Sequence, residues 1–400
     1  MQSHSFFPAW SALDWKLVLF PALLLLGFSA GELLSRLRLP RLTGYILIGM
    51  VLGDSGLGLI DQSLRDEMGV FINVGLGLLL FELGQRLDLQ WMRRERWLWL
   101  TSMAEIALTG WLSFTAMRLF GFPIMESSLL ASVAVCTSPV IVMGLVRELA
   151  ADGPVTDRVV SLAAINSIAS FLALTILLGG AGLQYAGGIR NVVLHPLYLI
   201  AGSFALGWVV FISFRFIARF IGKSSMPQHA VAMSMILLAV GAAVALKLSV
   251  LGTLLTLGIL AKNADPERRI RHIDFGVGVE LFFVILFISE GASIKLGISS
   301  GILLPALVLI GVRYLGKSIP IYLLSGFAPL GIARAGFVSL AMIPLSGLAA
   351  LLVLDTRQDY PQLRPEMLAV IFTAIGILEL AGPVLASFAL RRAKENRPES

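Results

Sequence analysis

A few ionisable side chains lie where the chain is otherwise hydrocarbon. Glu105, Arg313, Lys317, Arg334 and Glu379 each sit inside a long apolar run. A charge at the centre of a bilayer costs about 2.5–3.5 kcal/mol on insertion scales, so each invites a functional reading. The chemistry open to them is exchange. A buried carboxylate can hold a proton or a cation in turn, because desolvation favours its neutral form and a cation competes for the same oxygens. Arginine cannot switch in this way, since guanidinium stays protonated. A lysine in an apolar site can release a proton, which makes Lys317 the better basic switch. A place near the end of its span would equally suit snorkelling. Glu379, just before Gly382-Pro383, could carry the proton or pair structurally with Arg313 or Arg334. Glu105, read as nearer a helix end, has the same two readings. Thr137, Ser138, Asn166 and Ser167 offer neutral oxygens that can ligate a cation but cannot titrate.

Other polar residues point less clearly to chemistry. Glu82 with Arg86, and Glu32 with Arg36, are four apart and read as local helix pairs. Glu280 reads as a hydrated helix entrance, and Glu290 as an outer-end acid. His195, His229 and His272 fall near span ends, and no two have metal-ligand spacing on one helix face, so no metal site is expected. The single cysteine, Cys136, excludes a disulfide framework and reads as a small packing residue. There is no Walker loop, dinucleotide fingerprint or HExxH motif. No enzyme activity, cofactor or nucleic-acid role is expected.

These residues must be positioned by membrane helices. The 400 residues are 57% hydrophobic and only 14% charged, with mean hydropathy +0.87, far from a soluble composition. The pattern predicts an all-α polytopic membrane protein of about 13 transmembrane helices at roughly 20 residues each. Their expected limits are 17–38, 42–60, 69–87, 97–119, 126–147, 157–180, 193–221, 229–247, 249–263, 273–294, 301–323, 327–354 and 366–391. The division at Lys247–Ser249 is the tightest. The first run lacks a basic leader and cleavage site and reads as a retained helix. Basic residues gather in alternate loops: Arg36, Arg38 and Arg41; Arg86, Arg93, Arg94 and Arg96; Arg147 and Arg158; Arg215, Arg219 and Lys223; Lys262, Arg268, Arg269 and Arg271. The intervening loops hold about one each, such as Arg65, Arg118 and Lys295. The positive-inside rule then places the N-terminus outside and the C-terminus in the cytoplasm of a cell inner (plasma) membrane.

Two spans are unfit to be simple helices. The fifth carries Thr137-Ser138-Pro139, and Pro139 leaves the Val135 carbonyl without its helical partner; the hydroxyls of Thr137 and Ser138 are expected to serve the freed groups. The twelfth carries Pro329, Gly331, Gly336 and Pro344 around Arg334, with Gly336 as the expected break. Paired interruptions in oppositely directed helices are the sign of inverted repeats with two crossing discontinuous helices, and of a transport site where they cross.

The ordered motifs resemble the monovalent cation:proton antiporter-2 family, Kef-like bacterial sodium or potassium exchangers. They are Leu39–Gly53, the leucine-rich run Gly75–Asp88, Thr137-Ser138-Pro139 with Arg147-Glu148-Leu149, Phe282-Phe283-Val284 with Gly291-Ala292-Ser293, and Arg313 with Gly316-Lys317. Together they span nearly the whole chain. The resemblance implies the sodium/proton antiporter fold in a single domain over 1–400. It implies a moving core (about 97–180 and 301–391) and a dimerising scaffold (about 17–90 and 193–294), elevator-like exchange, and a homodimer. It departs at the sixth helix, where the family's Asn-Asp, Asp-Asp or Gln-Asp is Asn166-Ser167, and at the twelfth, where Phe337 follows Gly336. The expected function is secondary active exchange of a monovalent cation, sodium or potassium, for protons across the lipid bilayer. The acid would then be Glu379 or Glu105. The alternatives are transport of an organic or anionic solute, welcomed by Arg313 and Arg334, and a fold retained without turnover.

Overall fold

A computed structural model describes residues 15–185, 189–221, 225–265, 279–294, 299–327, 330–345 and 363–396. Lys223, Arg268, Arg269, Arg271, His272, Lys295 and Pro329 lie outside the described residues, as does the His195 side chain.

All the elements of the described chain are helices. It runs α1 (Trp15–Arg36), α2 (Arg41–Leu52), α3 (Gln62–Arg86), α4 (Leu89–Arg94), α5 (Arg96–Leu119), α6 (Ile124–Val135), α7 (Pro139–Glu148) and α8 (Pro154–Tyr185). It continues with α9 (Ile189–Ile221), α10 (Ser225–Ala245), α11 (Val250–Asn263), α12 (Glu280–Ala292), α13 (Ser300–Ser325), α14 (Ile332–Ala341) and α15 (Pro365–Arg392). Among the described residues, eight segments are long and apolar enough to cross a membrane, α6 and α7 being taken as one. Each expected span contains a described helix. The starts follow local chemistry: Asp61, Asp88, Ser138 and Ser249 are N-caps whose side chains accept from the first free backbone N–H groups. Between α10 and α11, Lys247 takes a left-handed φ of 52° and turns the chain sharply.

Three boundaries differ from expectation. The second helix stops at Leu52 because the chain folds into a turn through Gly53 and Gly58, the latter at φ 65°. The short helix α4 was not expected. In the twelfth span, Gly336 is not the break. It lies inside α14, where an added Cβ would stand 2.8 Å from the Tyr322 hydroxyl, so its smallness serves packing on α13. The helix instead starts after Gly331, at φ 75°, and stops at Ala341, ahead of Pro344. Arg334 is likewise corrected. It occupies the first turn of α14 and is exposed on the protein surface rather than buried in the core.

The fifth span is broken where Pro139 demands. Residues 136–138 are extended between α6 and α7, with Ser138 capping α7 and accepting from Ile141 N at 3.1 Å. The two interruptions meet directly: Ser138 N donates to Pro344 O at 3.0 Å. Around this crossing lie α5, α8, α13 and α15, while α2 packs on α12 and α3 on α11 through close glycine contacts.

Candidate functional site

The crossing gathers three charged residues with no access to solvent. Glu105, near the middle of α5 rather than at its end, is 0% exposed, Lys317 1% and Arg313 2%. Lys317 therefore does not snorkel. Its Nζ donates to Glu105 Oε1 at 2.5 Å and to Val135 O at 2.9 Å. The carbonyl freed by Pro139 is thus served by an ammonium group and not by a neighbouring hydroxyl. Arg313 serves the rest. It donates to Ala134 O (3.0 Å) and Cys136 O (2.7 Å) at the end of α6, and to Met342 O (3.4 Å), Ile343 O (2.7 Å) and Pro344 O (3.2 Å) beyond α14. Helix C-termini carry partial negative charge, so one guanidinium between two of them is favourably placed.

The neutral residues bind the crossing to α8. Asn166 Nδ2 donates to Glu105 Oε1 at 2.8 Å and approaches Thr137 Oγ1 at 3.5 Å. Ser167 Oγ shares its proton between Thr137 O (2.8 Å) and Ala163 O (2.7 Å). Thr137 Oγ1 reaches Met342 O at 3.4 Å. Two buried oxygens in this group, Glu105 Oε2 and Asn166 Oδ1, have no protein donor. They belong to side chains already in contact. The site therefore offers one carboxylate, one amide oxygen and nearby hydroxyls, all hard ligands suited to an alkali cation. It also offers an ammonium group on the same carboxylate.

The structure thus brings together Glu105, Thr137, Ser138, Asn166, Ser167, Arg313 and Lys317, with Pro139 at the start of α7. Glu379 is buried midway along α15, with contacts of its own. Arg334 and Gly336 stand outside the cluster. Glu82 pairs with Arg147 at 3.2 Å and not with Arg86, whose Nη1 donates to Ala151 O. Among the described residues no cluster of three or more His, Cys, Asp or Glu could hold a metal.

Sequence reasoning missed the other polar groups on α5. Ser102, Thr109 and Ser113 share the buried face of Glu105. The signal was present: their spacing of three, seven and eleven residues along α5 marks one helix side.

A family model described as sodium/hydrogen exchanger, transmembrane, matches residues 22–391. The chain belongs to this family. Two solved structures of the sodium proton antiporter MjNhaP1 from Methanocaldococcus jannaschii share its fold. The structure at pH 8 has a TM-score of 0.70 at 16% identity, covering 96% of this chain and 99% of that one. The electron-microscopy structure has a TM-score of 0.73 at 16% identity, covering 97% and 100%. Sequence similarity is local. The exchanger-family chain is 42% identical over 59 residues to the iron transporter MagA of Paramagnetospirillum magneticum, or 15% of this chain and 13% of that protein. It is 35% identical over 80 residues to the Na(+)/H(+) antiporter NhaS5 of Synechocystis sp., or 20% and 11%. The match thus spans only a small part of either relative's length. All these named proteins are transporters, and this exchanger-family member is a polytopic membrane protein with the sodium/proton antiporter fold.

Proposed function

We propose that the protein exchanges a monovalent cation for protons, with Glu105 supplying the carboxylate that Ser167 cannot. The observation that carries this reading is the buried Lys317–Glu105 pair at the crossing, with Asn166 on the same carboxylate. In the cation-free state Lys317 balances Glu105. A cation entering takes the carboxylate with help from Asn166 Oδ1 and the Thr137 and Ser138 oxygens. Lys317 loses its counter-charge, and its ammonium group releases one proton. When the cation leaves, a proton returns to Lys317 and the pair reforms. One positive charge replaces another, so the buried site never holds an unbalanced carboxylate, which would be costly.

Alternating access follows from movement of a core (about 97–180 and 301–391) against a scaffold (about 17–90 and 193–294), with the scaffold forming a homodimer. Such movement must break specific contacts. Arg147 binds Glu82 at 3.2 Å, and the Glu148 carboxylate accepts from Arg41 N at 2.7 Å at the start of α2. The arginine-rich end would face the cytoplasm and the N-terminus the outside of the plasma membrane.

An organic or anionic solute is the less supported cargo. Arg313 commits its donors to five carbonyls, and Arg334 is exposed. The deciding experiment is reconstitution into liposomes with an interior pH dye and a panel of cations and anions. Sodium or potassium should drive proton flux. Glu105→Gln should all but abolish it, because no carboxylate is left for a cation to take from Lys317, while Glu379→Gln should retain it. Loss in Glu379→Gln with full flux in Glu105→Gln would move the acid to α15. An anion-driven flux, or none from the unaltered protein, would sink the reading.

A further inference from the structure

Between α3 and α5 the chain concentrates two residue types that favour the headgroup layer of a bilayer. Trp91, Trp97 and Trp99 are three of the seven tryptophans, and Arg93, Arg94 and Arg96 stand among them. Tryptophan gathers where membrane helices end, because its ring is apolar and its N–H is not. Arginine there meets lipid phosphate. The fold agrees with that depth. α3 ends at Arg86 and α5 begins at Arg96, so the short α4 turns the chain where two spans end.

The acids of this segment are already committed. Asp88 caps α4 through Gln90 N and Trp91 N, and Glu95 pairs with Arg158 at 3.6 Å. Arg93, Arg94 and Arg96 are exposed, and none of their side chains has a hydrogen bond or ion pair among the described residues. Other exposed arginines are met: Arg36 and Arg41 by Glu32 at 3.7 and 3.3 Å, and Arg364 by Glu126 at 3.0 Å. Three like charges this close repel one another, so a bound anion stabilises them. An apolar track leads away from the arginines. After Arg96 come Leu100, Met103 and Ala107, at steps of four, three and four along one face of α5, and all three are exposed. At 1.5 Å per residue the track is about 16 Å long, close to half of a hydrocarbon core roughly 30 Å thick.

We infer that the α4 elbow and the adjoining face of α5 bind an anionic phospholipid. Arg93, Arg94 and Arg96 take the headgroup phosphate, and an acyl chain lies along Leu100, Met103 and Ala107. Lipid covers such a face in any bilayer; the arginines select which lipid. A soluble phosphate would meet the charges and leave the track unused. The elbow is held from both sides. Leu89 N donates to Asn263 Oδ1 at 2.9 Å, and Asn263 Nδ2 donates to Leu87 O at 2.8 Å, which ties its start to α11. Besides its bond to Glu95, the Arg158 guanidinium lies 5.8 Å from the centre of the Trp91 ring, which ties its end to α8. In the proposed exchange α11 belongs to the scaffold and α8 to the core, so the lipid holds the joint between them at headgroup depth. That role rests on the exchange reading; the binding does not.

Native mass spectrometry of the full chain in detergent tests the binding, with phosphatidylglycerol and phosphatidylcholine of identical chains as probes. At roughly fivefold per arginine near an anionic group, phosphatidylglycerol should bind about 100-fold tighter. Arg93→Gln/Arg94→Gln/Arg96→Gln should abolish that preference. Arg38→Gln/Lys262→Gln/Lys394→Gln removes the same charge from other exposed positions and should keep it. Equal binding of the two lipids to the unaltered protein would overturn the inference whatever the variants do. So would a preference that survives in the arginine variant, or an equal loss in both variants, which is the mark of diffuse attraction. Displacement of phosphatidylglycerol by glycerol phosphate would overturn the lipid in favour of a soluble anion. In liposomes, cation-driven proton flux should be faster in phosphatidylglycerol than in phosphatidylcholine, and the arginine variant should lose that difference. Equal flux in both lipids, with phosphatidylglycerol bound, would overturn the role at the joint. No flux from the unaltered protein in either lipid would sink the exchange reading, and the binding result would still decide the site.

Discussion

The α2–α12 and α3–α11 seams and the crossing of broken helices hold their helices by opposite means. In the seams, backbone lies on backbone. A Cβ added at Gly49 would run into Ile288 O, one at Gly291 into Ile46 O, and one at Gly258 into Phe81 O. Contacts of this kind admit one register, since small residues set the approach and dispersion supplies the attraction. The crossing is held by charge: Arg313 on five carbonyls, Lys317 on Glu105 and Val135 O. A carbonyl or carboxylate can exchange one cationic partner for another; a glycine contact has nothing to exchange. The fold thus separates seams fixed by glycine contact from a crossing held by charge.

The sharpest way to break this comparison is to remove the charge that joins both interruptions. Arg313→Gln leaves the ends of α6 and α14 facing each other with most of their carbonyls unserved. Hydrogen bonds from charged donors contribute about 1.5–3 kcal/mol each, so a loss of several kcal/mol is expected. Thermal unfolding followed by size-exclusion chromatography in detergent would read it. A variant as stable as the parent would mean that charge does not hold the crossing.

A smaller loss is expected in the seam. Gly258→Leu forces a side chain between α11 and α3, where Gly84 Cα lies 2.8 Å from the position of an added Cβ. Overpacking of this kind typically costs about 1–3 kcal/mol. Gly241→Ala is the control: an added Cβ there meets nothing within 4 Å, and helix propensity should make it neutral or slightly stabilising. The seam variant should lose folded protein while each surviving molecule keeps its cation affinity. A changed affinity with unchanged yield would show that the seam also shapes the site.

How much of this was legible in the sequence depends on the range of the cause. The break at Pro139 was readable because a missing N–H acts on its own helix. The spans were readable because hydropathy is local too. The partner of Lys317 was not, since Glu105 lies 212 residues away and a basic residue in an apolar run fits both burial and snorkelling. Arg334 and Gly336 misled for a similar reason. Glycine is permissive but forces nothing, and the second interruption lies beyond Ala341, ahead of Pro344, where Arg313 on another helix meets the carbonyls. The α5 hydroxyls could have been found from spacing alone. They were overlooked because neutral side chains in a membrane helix raise no energetic alarm.

The smallest effect expected concerns a helix end, the start of α8, held by neither the seam nor the crossing. Pro154 opens α8 without an N–H. The cap arrives from the chain's far end. The Glu395 carboxylate accepts from Val155 N at 2.9 Å, Thr156 N at 2.7 Å and Thr156 Oγ1 at 2.8 Å, and Glu395 O accepts from Asp152 N at 2.9 Å. A carboxylate at a helix N-terminus also complements its partial positive charge. Glu395→Ala should therefore cost about 1 kcal/mol, the usual worth of an N-cap, seen as a lower thermal midpoint. Asn166 lies about three turns further along α8 and is held independently by its bond to Glu105. The half-saturating cation concentration should stay where it is. If it rises instead, the crossing does not fix Asn166 alone, and the chain's last described residues help set the site from the opposite end of α8.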